Sequence, residues 1–382
     1  MSATRIPKVK IAVFDIPMML SIALLTLIGL VAMASASMEL ASTRFDDSFY
    51  HLNRQLSFVF LGLITGAIFY RIPLSVWEQY GWVALLLSLG LLVLVLIPGV
   101  GKEVKGSQRW IPLGPVNFQV SEIAKLFVVV YIAGYLVRRS DEVQAQWSGF
   151  MKPLAVTGLL TVLLLAEPDF GASVVMMSAV LGMIFLGGVR VAQFAALVVV
   201  CISAAAAMVY SSEYRMRRLT AFVDPWAEQF EGGYQLVQSL IAFGRGEVFG
   251  LGLGNSLQKL YYLPEAHTDF VFAIWAEETG AIGALLVLAI FVVLIARILW
   301  LAKSAVSRES YFGAHLCHGI AILIAAQVFI NIGVNVGLLP TKGLTLPFFS
   351  YGGSSIITMF LAMALVCRVH TEVYATEETA NG

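Results

Sequence analysis

The sequence predicts an all-α polytopic membrane protein with about ten transmembrane helices and one large extracytoplasmic loop. Of its 382 residues, 59% are hydrophobic and only 13% charged, with a mean hydropathy of +0.85; soluble domains carry about 25% charged residues. Apolar windows of about 20 residues, enough to cross a hydrocarbon core of about 30 Å, recur along the chain. These windows are continuously apolar rather than alternating, which favours helices over a barrel.

Ten windows qualify, at about 15–38, 55–71, 79–98, 121–137, 153–167, 170–188, 191–210, 270–296, 315–338 and 350–369. The first ends in Ala34-Ser35-Ala36-Ser37 after the basic Arg5, Lys8 and Lys10, in the manner of a signal-peptidase site. Its apolar run exceeds the 7–15 residues of a signal core, so it is expected to remain as a span. The fifth and sixth are separated only by Glu167-Pro168-Asp169 and can also be read as one broken segment or a re-entrant pair.

Basic residues in short loops set the orientation. With the amino terminus inside, twelve fall in cytoplasmic segments, from Arg5 to Arg368, against six in short outer loops: Arg44, Arg54, Lys102, Lys105, Arg109 and Lys342. Both termini are then cytoplasmic and residues 211–269 face outward. The whole chain, 1–382, reads as one membrane domain. Residues 371–382, rich in Glu, Thr and Ala, read as a disordered cytoplasmic tail. Cys201, Cys317 and Cys367 fall within spans and are expected as buried thiols. With 24 basic and 24 acidic residues and no basic tract, nothing points to nucleic acid.

The outer loop is too apolar for a spacer. Tyr234, Val237 and Ile241, with Leu240 beside them, fall at helical spacing, while Gln235, Gln238 and Ser239 fill other positions; this predicts a short amphipathic or re-entrant helix. The following Gly244–Gly254 stretch holds five glycines in eleven residues, which permits close backbone approach to a ligand. It matches neither a P-loop nor a dinucleotide fingerprint.

Several charged groups sit where a bilayer penalises them. Glu122 and Lys125 open the fourth span three residues apart, so they share a helix face. They serve either as a structural ion pair or, through Lys125, as a site for an anionic substrate. Lys102, Lys105 and Arg109 crowd the outer loop before that span, against the inside bias, and suit either a phosphate or lipid headgroups. Arg215, Arg217 and Arg218 form a second such cluster, for which headgroups are the better reading. Glu265, His267 and Asp269 would project to one side of an extended segment. Asp269 is then either a general base at the mouth of a cavity or the N-cap of the eighth span. Glu277 and Glu278 add acidity inside that helix. The turn from Gly337 to Ser355, with two prolines, four glycines and Lys342, implies irregular backbone lining protein or a polar cavity.

The strings LPEAHTDFVFA at 263–273, GLLPTKGLTLPFFSYGGSS at 337–355, AEPDFG at 166–171, QRWIPLG at 108–114 and FQVSEIAKL at 118–126 resemble the SEDS family of bacterial membrane glycosyltransferases, in the family's motif order. Lys342-Gly343-Leu344-Thr345-Leu346, Glu167 before Pro168-Asp169, and Ala266 before His267 resemble its cell-division branch more than its elongation branch. The chain departs at Val120, where many members carry Pro; a change in loop stiffness with intact chemistry is expected.

The resemblance implies a peptidoglycan glycosyltransferase of the bacterial inner membrane at the division septum. Its substrate would be lipid II, the undecaprenyl-diphosphate-linked disaccharide-pentapeptide, polymerised on the outer face. The family's essential acid falls on Asp269. The expected substrate-binding residues are Arg109, Glu122, Lys125, Gln238, Lys259, His267, Lys342 and Ser350. Asp269 would take the proton of the acceptor's 4-hydroxyl as it displaces the diphosphate with inversion, forming a β-1,4 bond. Partial desolvation would raise this carboxylate above the usual pKa near 3.9 and strengthen it as a base. No cofactor is expected with certainty; a divalent cation such as Mg²⁺ or Mn²⁺ is a candidate beside the departing diphosphate, and no residue is assigned as a metal ligand. The resemblance also implies a class B penicillin-binding protein transpeptidase as partner, with other division proteins and membrane lipids. A lipid-linked-sugar flippase and a division scaffold are the competing functions.

Overall fold

A computed structural model describes residues 15–104, 107–114, 116–211, 213–340 and 343–380. Its helices are α1 (Ile16–Phe45), α2 (Tyr50–Arg71), α3 (Leu74–Leu96), α4 (Val120–Arg138), α5 (Ser140–Ala145), α6 (Trp147–Ala166) and α7 (Phe170–Leu186), followed by α8 (Val191–Tyr210), α9 (Glu213–Val223), α10 (Tyr234–Gly246), α11 (Val271–Val306), α12 (Tyr311–Asn335) and α13 (Gly353–Ala380). Each of the ten apolar windows falls on a helix. Eight helices, α1 to α4, α6, α11, α12 and α13, are long and apolar enough to cross a membrane; α7 and the apolar part of α8, Val191–Ala204, are shorter. The protein is an integral membrane protein.

The Glu167–Asp169 break separates two helices. Pro168 cannot continue α6, and the Asp169 side chain caps α7 by accepting from the Ala172 N–H at 3.2 Å. The helical class holds, with one small sheet added to it. Strands β1 (Lys102–Val104), β2 (Ser107–Leu113) and β3 (Val116–Gln119) form an antiparallel sheet before α4. Trp110 pairs with Gln119 and Ile111 with Phe118 across a turn at Gly114, whose φ of 66° suits glycine. These strands are too short and too polar for the apolar windows to reveal.

Almost every residue of α4 is buried, and it packs against α3, α7 and α12 at the centre of the bundle. Close helix contact rests on small residues. A Cβ on Gly62 of α2 would lie 2.7 Å from the Phe360 ring of α13, and one on Gly29 of α1 would lie 2.5 Å from the Phe349 backbone. At one end of the bundle Arg297 pairs with Asp15 at 2.5 Å and Arg308 lies over the Tyr374 ring. α13 runs on to Ala380, through the stretch expected as a disordered tail, because Val373 continues its buried stripe.

The predicted loop helix is present as α10, but it docks on α11 and α12 through Leu236, Val237, Ser239 and Ala242 rather than lying free at an interface. The glycine-rich stretch approaches the chain itself. α11 is broken at Gly280, which has a φ of 70°. The amides of Leu251 and Gly252 donate to the carbonyls of Glu277 and Glu278 at 3.1 and 3.0 Å, while Ala281 donates to the Glu247 carbonyl at 2.9 Å and Ile282 to that of Val248 at 3.3 Å. The loop thus supplies the hydrogen bonds that the break removes, as a low-dielectric interior requires. Cys201, Cys317 and Cys367 are free thiols, Cys201 only half-buried.

Candidate active site

α12 carries three amides at i, i+4 and i+8, Gln327, Asn331 and Asn335, in the otherwise apolar stretch that follows His318, and they are buried on one face. Asn331 Nδ2 donates to the carbonyls of Asp269 at 3.0 Å and Leu344 at 2.5 Å. Asn335 Nδ2 donates to the same Asp269 carbonyl at 3.0 Å, and its Oδ1 accepts from the Ala273 N–H at 3.2 Å. Asn335 therefore satisfies the first turn of α11, whose cap residue, Phe270, makes no side-chain bond. Asp269 is not the N-cap. Its backbone is fixed by two amides, and its side chain is half-buried.

The segment before it is not extended. Glu265 has a φ of 59°, its carbonyl accepts from the Thr268 and Phe270 amides at 3.1 and 3.3 Å, and its carboxylate accepts from the Thr268 hydroxyl at 2.7 Å. Glu265, His267 and Asp269 consequently do not share one strand face. His267 lies beside Asp269 in an aromatic group, its ring 5.0 Å from His51 and 5.6 Å from Tyr351, and its carbonyl accepts from the Tyr351 amide at 3.0 Å. Gly343 passes close to the acid: a Cβ there would stand 3.0 Å from Asp269 Oδ2.

The same stripe leads inward. Gln327 donates to the Thr345 carbonyl at 2.9 Å and accepts from Lys125 Nζ at 3.3 Å; Lys125 in turn pairs with Glu122 at 2.8 Å. Lys125 is 1% exposed, so its place is inside the network rather than on an open surface. Next to it, Asp169 accepts from Ser121 Oγ at 2.8 Å and Gln119 Nε2 at 3.2 Å, and Arg109 of β2 reaches it at 3.4 Å. Arg109 keeps a quarter of its side chain exposed. Ser354 ties β3 to the 343–355 segment by accepting from the Gln119 amide at 2.8 Å. Burial and the neighbouring Asp169 charge push the Glu167 carboxyl, in the α6–α7 turn, up to about 8, against the opposing pull of Arg109.

A family model of cell cycle proteins, FtsW, RodA and SpoVE, matches residues 16–375. The chain belongs to that family. It is 51% identical over 365 residues to a probable peptidoglycan glycosyltransferase FtsW of Hahella chejuensis, covering 96% of this chain and 92% of the relative. A protein of the same description from Nitrosococcus halophilus is 54% identical over 345 residues, covering 90% and 89%. Among solved structures, a chain from a peptidoglycan synthase complex that coordinates polymerization and crosslinking aligns with a TM-score of 0.77 at 28% identity, covering 94% of this chain and 98% of that one. The rod shape determining protein RodA of Thermus thermophilus aligns with a TM-score of 0.69 at 27% identity over the same shares.

Within this FtsW/RodA/SpoVE chain, the expected site residues divide. Glu122 and Lys125 join a polar network that reaches the Asp269 backbone through Gln327, Thr345, Leu344 and Asn331, and Arg109 lies in a neighbouring group on Asp169, which Ser121, next in sequence to Glu122, also holds. Lys259 is committed elsewhere: it pairs with Glu278 at 2.9 Å and donates to Ser35 Oγ at 2.9 Å and to the Gly254 carbonyl at 2.7 Å. Glu277 is likewise engaged, by Arg245 at 3.2 Å and by Ser256. The two acids therefore latch the glycine-rich loop to α11 and form no open acidic face. Ser350 is buried and closes a local turn, its hydroxyl accepting from the Leu346 amide at 2.8 Å. Gln238 is half-buried on α10. Lys105 and Lys342, and the side chains of Arg215, Arg217 and Arg218, lie outside the described residues.

Sequence reasoning missed Asp169 as the partner of Arg109, and it missed Gln327, Asn331 and Asn335. The four-residue spacing of three amides in an apolar helix was the available signal. Among the described residues no three His, Cys, Asp or Glu side chains gather into a metal site. A cavity of about 250 Å³ lined by Glu78, Glu309, Tyr311 and Glu372 lies at the far end of the bundle, away from Asp269.

Proposed function

We propose that the chain polymerises lipid II into glycan strands, with Asp269 as the general base. The observation that carries this reading is the presentation of Asp269: two α12 amides fix its backbone while another residue caps the helix it precedes. A base must be held within hydrogen-bond reach of its proton, and rigid support is what provides that reach. The acceptor's 4-hydroxyl oxygen attacks the donor's anomeric carbon and its proton passes to an Asp269 oxygen. The bond from that carbon to the diphosphate oxygen breaks, the electron pair leaves with the diphosphate, and the configuration inverts to a β-1,4 linkage.

The departing diphosphate gathers negative charge, and the partly exposed Arg109 is the cation best placed to meet it. Lys125 acts from behind, orienting the Thr345 backbone through Gln327. Lys342, next in sequence to Gly343, is a further cation for the same role. A Mg²⁺ or Mn²⁺ ion at this step would be held chiefly by diphosphate oxygens, as Mg²⁺ commonly is with substrate phosphates.

The description of the relatives as probable FtsW glycosyltransferases supports a septal role, and the excess of basic residues on the opposite loops supports an outward-facing Asp269 end. The neighbour taken from a complex for polymerization and crosslinking supports a class B penicillin-binding protein transpeptidase as partner, along with other division proteins. The test is incubation of the purified full chain with lipid II, with and without that partner. Glycan strands are expected; movement of lipid II across vesicles without polymer would replace this reading with the flippase.

A further inference from the structure

Glu167 is unused by the mechanism above, yet it is the most enclosed acid near Arg109. It is 0% exposed and neither carboxylate oxygen has a hydrogen-bond partner. An unpaired buried charge is costly enough that such a group normally sheds it. Its neighbour two residues on, Asp169, is by contrast fully engaged, by Ser121, Gln119, the Ala172 amide and Arg109.

The charges around Glu167 explain why its state matters. Asp169 in its own turn and Arg109 on β2 act on it directly. The adjacent α4 brings Glu122 and Lys125, already paired with each other at 2.8 Å. α7 carries no titratable side chain, and those of α3, Glu78 and Tyr80, lie toward its other end. An ionised Glu167 would be a third carboxylate among two cations. It would repel an incoming phosphate and compete for the one guanidinium that remains partly exposed.

We propose that Glu167 is a positioning residue of the diphosphate site: it remains a neutral carboxylic acid during turnover, so that Arg109, held by Asp169 as its one carboxylate partner and by the Ser107 hydroxyl, keeps a face for a phosphoryl oxygen. This rests on the reading that the donor is diphosphate-linked. A neutral Glu167 makes no demand on Arg109. The structure supports that state, because no donor is arranged to receive its negative form.

The experiment is the pH profile of lipid II polymerisation by the full-length protein and its Glu167→Gln variant, from pH ~7 to ~9. In the unmodified protein, KM for lipid II is expected to rise about tenfold across that range while kcat at saturation holds, the mark of lost ground-state binding. Glu167→Gln, which cannot ionise, is expected to keep a flat KM, apart from whatever the substrate's own titration imposes on both. A KM that climbs equally in both proteins overturns the proposal. Should the variant fail to fold, the unmodified protein still decides, since a flat KM there also overturns it. Absence of any polymer at pH ~7 from the unmodified protein would instead count against the glycosyltransferase reading itself.

Discussion

Asn335 of α12 takes over the capping of α11 that Asp269 would otherwise provide, accepting from the Ala273 N–H at 3.2 Å while donating to the Asp269 carbonyl at 3.0 Å. One side chain thereby serves the first turn of α11 and anchors the backbone of the acid. The Ser239 hydroxyl of α10 donates to the Asn335 carbonyl at 2.7 Å, so the loop helix braces the same point.

Asn335→Ala should therefore affect both stability and rate. Leaving buried backbone groups short of partners costs about 1–3 kcal/mol. The displaced carboxylate should lower kcat by about 10²-fold, since small misplacements of a catalytic group are that costly. Thermal unfolding and steady-state polymerisation check the two effects, and an unchanged kcat would separate Asn335 from the placement of Asp269.

Gly343→Val should act on the acid from the other side. The added Cβ would stand 3.0 Å from Asp269 Oδ2, and the branched side chain would crowd the approach of a sugar hydroxyl. Because Gly343 is exposed, the melting temperature should hold while kcat falls about 10²-fold. Equal losses of stability and activity would point to misfolding instead.

Lys125→Met should destabilise the protein by about 3–5 kcal/mol, because it strands a buried carboxylate on Glu122. Adding Glu122→Gln should recover most of that loss, a coupling that a double-mutant cycle reads directly. If the two losses simply add, the pair is not the structural unit described here.

Glu167 gives the protein's stability a pH dependence of known sign. Its folded-state value, about 8, lies above the ordinary 4.5, so the folded state binds its proton more tightly. That stabilisation is complete below the ordinary value and is lost as the pH rises through about 8. Relative to the unmodified protein, Glu167→Gln should melt progressively higher as the pH increases across that window. A gap in melting temperature that stays constant with pH would contradict this.

Much of the site was legible in the sequence because bilayers make charge conspicuous. Glu122 and Lys125 announced a shared face, and Asp269 stood out before a long apolar run. The neutral amides at 327, 331 and 335 were legible by spacing but carry no charge, and so drew no attention. Whether Asp269 caps a helix depends on whether Asn335, 66 residues away, takes the role; no local pattern holds that information. Likewise, Lys259 is expected among the substrate-binding residues, and only the structure shows that Glu278 and Ser35 hold it. The glycines from 244 to 254 signalled close backbone approach, but only the break at Gly280 shows what they approach.

The central claim is tested most directly by single-turnover polymerisation of lipid II by the Asp269→Asn protein. Its melting temperature and its binding of lipid II should match those of the unmodified chain, while bond formation slows by at least about 10²-fold. A rate within about twofold of the unmodified protein, at equal substrate occupancy, would remove Asp269 from the chemistry.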